Sequence, residues 1–308
     1  MTTRWIPSAS LAAIQARADL YQHIRRFFAD RQVLEVETPI LAQAPVCDPN
    51  IEPMATLDGR YLHTSPEYAM KRLLCAGSGD IYQICKVFRR GEAGRRHNPE
   101  FSMLEWYRLG WNEQQLMAEV AELVTQLLDL PDDRPLLTLT YQQALEQYAG
   151  INPCQASDAV LAARGQQLAG HDLQLSRDGW LDIIMSHAVE PALPTNTLVF
   201  VYDFPASQAA LAKTRQHEDG YQVAERFELF WNGSELANGY HELTDAQEQA
   251  RRFANEADGR PVDQRLLAAL AAGLPECAGV AMGLDRILMQ RLQSTVIAEV
   301  LSFDWSRA

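Results

Sequence analysis

The sequence predicts an α+β fold: an antiparallel sheet flanked by helices, with a small helical insertion at residues 150–195. Three observations carry this expectation. Ile81, Ile84, Val87 and Phe88 lead into a long basic turn, and Phe101, Met103, Leu104 and Trp106 lead out of it, the pattern of strand, turn, strand. Apolar residues recur at three- and four-residue steps over residues 14–28 and 116–128, as on the buried stripes of helices. The stretch at 277–289, with two glycines, lacks GxGxxG spacing and any strand–helix–strand repeat, so a Rossmann-type sheet is excluded.

Composition narrows the function classes. The 308 residues can bury a substantial core, and we read them as one domain spanning 1–308. A net charge of −13 argues against broad nucleic-acid binding, which needs an extended basic face. No apolar run approaches the ~20 residues that span a bilayer, and the N-terminus lacks the apolar core of a secretion signal. Cys47, Cys75, Cys85, Cys154 and Cys277 are odd in number and without CxxC pairing, as expected of a cytoplasmic chain without a disulfide framework.

In chain order, a helix at about 10–30 precedes LEVE, a short strand closed by Pro39. Residues 42–58, with Pro45, Pro49 and Pro53, read as a loop; Asp58-Gly59 then turns into Tyr61-Leu62-His63. Thr64-Ser65-Pro66-Glu67 enters a helix, with Ser65 as its cap and Pro66 at its first position. Glu67 there either complements the positive helix end or receives a ligand ammonium. Beyond the basic turn, a helix ends before Pro131, and Thr140 with Gln143 forms a capping box. Leu161–Leu168 and Trp180–Val189 are short helical patterns, and Leu198–Tyr202 is a buried strand ended by Asp203-Phe204-Pro205.

Three stretches carry candidate chemistry. Arg89, Arg90, Arg95 and Arg96 fall within one turn, and the guanidinium fork matches phosphate or carboxylate oxygens two at a time. A solvated surface hairpin is the alternative. In RFELFWNGSELANGYHELTD, residues 226–245, Asn232-Gly233 and Asn238-Gly239 both signal turns. Glu235 and Glu242 lie seven apart, which on an unbroken strand means opposite faces, so the second turn is needed to bring them together. Converging carboxylates suit Mg²⁺ on phosphate oxygens; solvated hairpin glutamates are the alternative. Finally, Gly279 and Gly283 permit close approach of a ligand to the backbone, and Asp285 and Arg286 open a helix whose N-terminus suits an anion.

LEVETP, FRRGEAGRRHNPEFSMLEWY and GVAMGLDR, in that order, resemble the three signature motifs of class II aminoacyl-tRNA synthetases, and TSPE, RHNPEF and ELANG are similar to the lysyl branch. The resemblance runs from about residue 10 to the C-terminus. It implies that Arg89 holds the α-phosphate of ATP as a carboxylate attacks, with Arg286 and Glu235 completing the catalytic set. It implies that Phe101 stacks under adenine with Arg286 over the other face, and that His97, Asn98, Leu236 and Gly283 line the nucleotide pocket. Glu235 and Glu242 are implied Mg²⁺ ligands. Glu67 is implied to receive the amino group next to the substrate carboxylate, with Ser65 and Pro66 also in the substrate site, and Glu105, Tyr107 and Glu242 to face the distal ammonium of lysine or (R)-β-lysine. Where the family's second motif reads Phe-Arg-x-Glu, this chain has Gly91, and Glu92 is expected to substitute.

Two departures select a branch. The first motif begins close to the N-terminus, so no anticodon-binding OB domain is expected before it. The lysyl enzymes carry glycine where this chain has Ala281, and one methyl in a substrate pocket shifts preference by ~1–3 kcal/mol. Both features are those of synthetase paralogues that pass (R)-β-lysine to a lysine of elongation factor P. The resemblance thus implies an AMP-forming ligase, homodimeric through its first motif, with a protein acceptor in place of tRNA. A minimal tRNA-charging enzyme and a non-catalytic adenylate binder are the alternatives.

Overall fold

The computed structural model describes residues 5–48, 51–171, 173–217, 219–257 and 259–308. Pro49, part of the expected loop, lies outside them. Along the chain run α1 (Leu11–Ala29), β1 (Leu34–Glu35), β2 (Leu41–Ala42), β3 (Met54–Ala55), β4 (Tyr61–Leu62), α2 (Glu67–Cys75), β5 (Ile81–Phe88), β6 (Glu100–Leu109) and α3 (Glu113–Leu127). Then come β7 (Leu136–Thr140), α4 (Tyr141–Ala149), α5 (Asp158–Ala169), α6 (Arg177–Ile184), β8 (Leu198–Pro205), β9 (Thr214–Gln216), β10 (Gln222–Trp231) and β11 (Ser234–His241). Last are α7 (Ala246–Glu256), α8 (Gln264–Gly273), β12 (Cys277–Gly283) and α9 (Leu284–Arg291). They fall into two compact units, one of residues 1–131 with 242–308 and one of residues 132–241.

In the first unit the strand order is β1-β5-β6-β12, antiparallel apart from the β1–β5 edge. One sheet face meets α1: Phe28 stacks on Tyr82 at 4.4 Å and meets Trp106 edge-on at 5.5 Å. Side chains alternate across a strand, so the other face carries Gln83, Glu105 and Tyr107, with Ala281 and Gly279 beside them on β12. Burial of Leu20, Ile24, Phe28, Leu116, Val120 and Leu123 accounts for the helical periodicities at both ends of this segment. Asp285, at the start of α9, accepts the Ser102 amide at 2.6 Å and an ion pair from Arg17, clamping α1, β6 and α9 together. Part of the expected loop at 42–58 is ordered as sheet, because β2, β4 and β3 pair into a small antiparallel sheet of their own.

The second unit is built on β11-β10-β8-β7, with β9 on β10. The Thr140–Gln143 capping box forms as expected and opens α4. The helices of the expected insertion, α5 and α6, share a core with β8 and β10 through Leu161, Trp180, Ile184, Val201 and Phe230. Asp203-Phe204-Pro205 does not end β8. Asp203 takes φ +58° and the strand continues to Pro205, because Arg215 on β9 secures the Asp203 carboxylate at 2.6 Å.

Asn232-Gly233 is the β10–β11 turn, with φ of +50° and +66°. Asn238-Gly239 is not a turn. Neither residue has positive φ, and they pair with Glu228 and Phe227 inside an unbroken β11. The phase change instead comes from a β-bulge: Leu229 pairs with Ala237 and Phe230 with Glu235, leaving Leu236 as the extra residue. Glu235 is thereby placed on the face of Phe230, Glu228 and Arg226.

Candidate active site

The first unit presents a polar row along one sheet face. Near its outer end Arg89 follows β5, its guanidinium 5.0 Å over the Phe101 ring. The Arg89 Nε is buried and makes no hydrogen bond among the described residues, an arrangement suited to an incoming anion. Glu92 approaches Arg89 at 3.8 Å across a turn in which Gly91 takes φ +79°. The other arginines of this turn point elsewhere. Arg90 pairs with Glu52 at 3.2 Å, Arg95 donates to Thr295 at 2.8 Å, and Arg96 is exposed.

His97 and Arg286 meet at 2.9 Å, bringing the first turn of α9 to the basic hairpin. Asn98, expected to line a nucleotide pocket, is buried in structural bonds. Its Nδ2 donates to the Glu100 carbonyl at 2.6 Å and its Oδ1 accepts the Trp305 amide at 2.9 Å. At Gly283 an added Cβ would come no nearer than 4.0 Å to the Arg286 side chain.

Farther along β6 lies an acidic pocket. Glu105 is 2% exposed, and both its oxygens are occupied, one by the Ser65 hydroxyl at 2.7 Å and the other by the Tyr107 hydroxyl at 2.8 Å. Burial, reinforced by Glu67 and Glu242, pushes its carboxyl up to about 8 against the pull of those two donors. Ser65 also accepts the Glu67 amide at 2.9 Å, as a cap would, while α2 begins one residue later than expected, with Pro66 in the cap position. Ala281 is the cross-strand partner of Glu105. Gly279 serves protein packing rather than ligand approach: a Cβ there would meet the Tyr107 ring at 2.3 Å and Glu242 Oε1 at 2.5 Å.

Two residues of consequence escaped the sequence reading. Lys71, 1% exposed, binds Glu67 at 2.7 Å and Glu242 at 2.6 Å, and these carboxylates hold its ammonium above the ordinary lysine range despite the opposing cost of burial. The i, i+4 spacing of Glu67 and Lys71 in PEYAMK was the available signal. In the second unit, Glu228 shares its face with Glu235 and pairs with Arg226 at 2.5 Å. Burial pushes Glu228 up to about 7; Arg226 opposes the rise, and Glu235 and Glu190 add to it. Its signal was a lone acid inside the apolar run FELF. Glu228 and Glu235 thus share a face, with Glu228 already paired to Arg226. Glu242 is likewise engaged, by the Lys71 ammonium.

The family model for "tRNA synthetases class II (D, K and N)" matches residues 5–306. Proteins named "Elongation factor P--(R)-beta-lysine ligase" from Salmonella dublin, Salmonella paratyphi B and Salmonella heidelberg are each 46% identical to this chain, covering 100% of it and 99% of their own length. With the expected motifs, the sheet that carries them and a match over nearly its whole length, the chain belongs to the class II aminoacyl-tRNA synthetase family.

Proposed function

We propose that this protein activates (R)-β-lysine, or lysine, as an aminoacyl-adenylate and transfers the acyl group to a lysine side chain of elongation factor P. The reading rests on the names of the relatives and on one observation. Arg89 and Phe101 stand four residues along β6 from Glu105, about 14 Å at the rise of a strand. That span suits a nucleotide and a short diamino acid laid end to end, with the acids at the amino-acid end.

The substrate carboxylate attacks the α-phosphorus of ATP, and pyrophosphate leaves. Arg89 offers its guanidinium to the charge that builds on the phosphoryl oxygens, and the ring of Phe101 supplies a face for the base. Glu105 and Tyr107 fix the distal ammonium, and Glu67 the amino group nearer the carboxylate, so the reaction proceeds by positioning without a covalent enzyme intermediate. The acceptor amine then attacks the acyl carbon, AMP leaves, and the amine gives up a proton.

Ligases of this class use ATP and a divalent metal. We keep Glu235, an implied ligand in the family resemblance, as the proposed holder of that metal, as Mg²⁺, and assign Glu242, bound by Lys71, to the amino acid. We treat both units as one catalytic domain, since the family model runs through both. A homodimer is proposed through β1 and its surroundings, an edge that exposes Leu34, Ile40 and Leu41. No helix among the described residues is long and apolar enough to cross a membrane, and the five cysteines are free, in keeping with the cytoplasmic location we propose.

The test is exchange of labelled pyrophosphate into ATP with each lysine isomer, followed by transfer of labelled amino acid to elongation factor P and, separately, to tRNA. Exchange with either isomer and label on elongation factor P are expected. Label on tRNA alone would replace the acceptor assignment, and no exchange with either isomer would refute the activity.

A further inference from the structure

The amino-acid pocket holds an internal cation that the proposed chemistry does not use. Lys71 projects from α2 between two carboxylates, Glu67 on its own helix and Glu242, and both of these act on a third, Glu105 on β6. Other ionisable neighbours among the described residues include two thiols and a phenol, with Glu276 acting on one of the thiols. Burial raises Cys75 and Cys277, and Tyr107 is likewise held neutral. Helix α8, packed on α2, carries Arg265 as its one ionisable side chain, and that residue is exposed. Helix α7 meets α2 through Phe253 against Tyr68; its Arg251 and Arg252 pair with Glu248, and Glu256 faces Arg252 and Asp48.

We infer that Lys71 is a specificity-determining positioning residue: its ammonium cancels one of the three pocket carboxylates, leaving two negative charges for a substrate that carries two ammonium groups. The inference rests on the lysine-activating reading above and deepens it. Glu67 and Glu242 share one buried cation, which stands between them and sets them apart by the width of an ammonium. Glu105 is left as the acid whose proton a ligand ammonium displaces. An amino acid with a single ammonium leaves one buried carboxylate without a counter-charge and is rejected, because an unpaired buried charge is costly. Without Lys71 three acids would crowd one pocket, and a second of them would hold a proton that the substrate must also expel.

Two measurements test this. In the wild-type protein, calorimetry of lysine binding near neutral pH, in buffers of different ionisation enthalpy, counts protons released; about one is expected. Release of two would mean that Lys71 does not supply the counter-charge of one pocket carboxylate, and would overturn the inference. In Lys71→Met, pyrophosphate exchange across pH is expected to show a lysine KM raised at least about tenfold at neutral pH and an acid limb moved about one pH unit upward. A purely structural residue would lower kcat/KM evenly at all pH values, and that result, or an unchanged profile, rejects the role. A wild-type protein that binds and exchanges with neither isomer defeats the proposed function instead.

Discussion

Ala281 stands directly across from Glu105 on adjacent antiparallel strands, so its methyl group lies on the sheet face that carries this buried acid. The cross-strand distance at such a pair is about 4.5–5.5 Å, close enough for one carbon to decide how a diamino acid seats itself. Ala281→Gly is therefore expected to shift the ratio of kcat/KM toward ordinary α-lysine by about tenfold, within the range a methyl group commands. Parallel exchange assays on both isomers read the ratio directly, and an unmoved ratio removes Ala281 from the specificity set.

Protonation of Glu105 gives lysine binding a pH signature. In the empty pocket the carboxyl is pushed up to about 8, so at neutral pH it holds its proton. A bound ammonium favours the carboxylate, so binding expels the proton. The lysine KM should fall as pH rises toward about 8, by up to about tenfold per unit, and then level off. Glu105→Gln should abolish that limb, which a KM-versus-pH series will report.

Arg89 has a buried Nε with no hydrogen bond among the described residues and lies over Phe101, where a phosphate would complete its bonding. Arg89→Ala should cost about 10²–10³-fold in the exchange rate with lysine binding preserved. Equal losses in exchange and in lysine affinity would point to a misfolded hairpin.

Magnesium dependence should separate two acids that sequence spacing alone treats as a pair. Glu235→Gln is expected to raise the magnesium concentration for half-maximal exchange by about tenfold or more. Glu242→Gln, whose carboxylate is bound by Lys71, should raise the lysine KM and leave the magnesium requirement nearly unchanged. The reverse outcome returns the cation to Glu242.

Gly279 can be probed by one added carbon. A Cβ there overlaps two Tyr107 ring atoms, at 2.3 and 2.5 Å. Gly279→Ala should destabilise the fold by about 1–3 kcal/mol and displace the Tyr107 hydroxyl from Glu105. Thermal unfolding together with the lysine KM checks both parts, and a neutral substitution would show that Tyr107 does not pack against Gly279.

Much of this was legible in the chain. The basic hairpin, the flanking helices and the Thr140–Gln143 box are local patterns, set by alternation, periodicity and capping within a few residues. What escaped was decided by partners distant in sequence. Asn238-Gly239 looks like a turn until Glu228 and Phe227 occupy its backbone and Arg226 Nε donates to Asn238 Oδ1 at 3.2 Å. Lys71 reads as a solvated helix residue until Glu242, 171 positions on, arrives beside it. Gly279 suggests an approaching ligand until Tyr107 and Glu242 fill the space.

The single unmatched residue in the β10–β11 ladder has an evolutionary corollary. Gaining a residue opposite Leu236, between Leu229 and Phe230, would restore strict alternation and turn Glu235 to the reverse side of the sheet. Every amino acid named as reactive would still be present, and the hairpin would still form. A homologue aligned with one gap at this place would carry all the expected letters and yet point a key acid the wrong way.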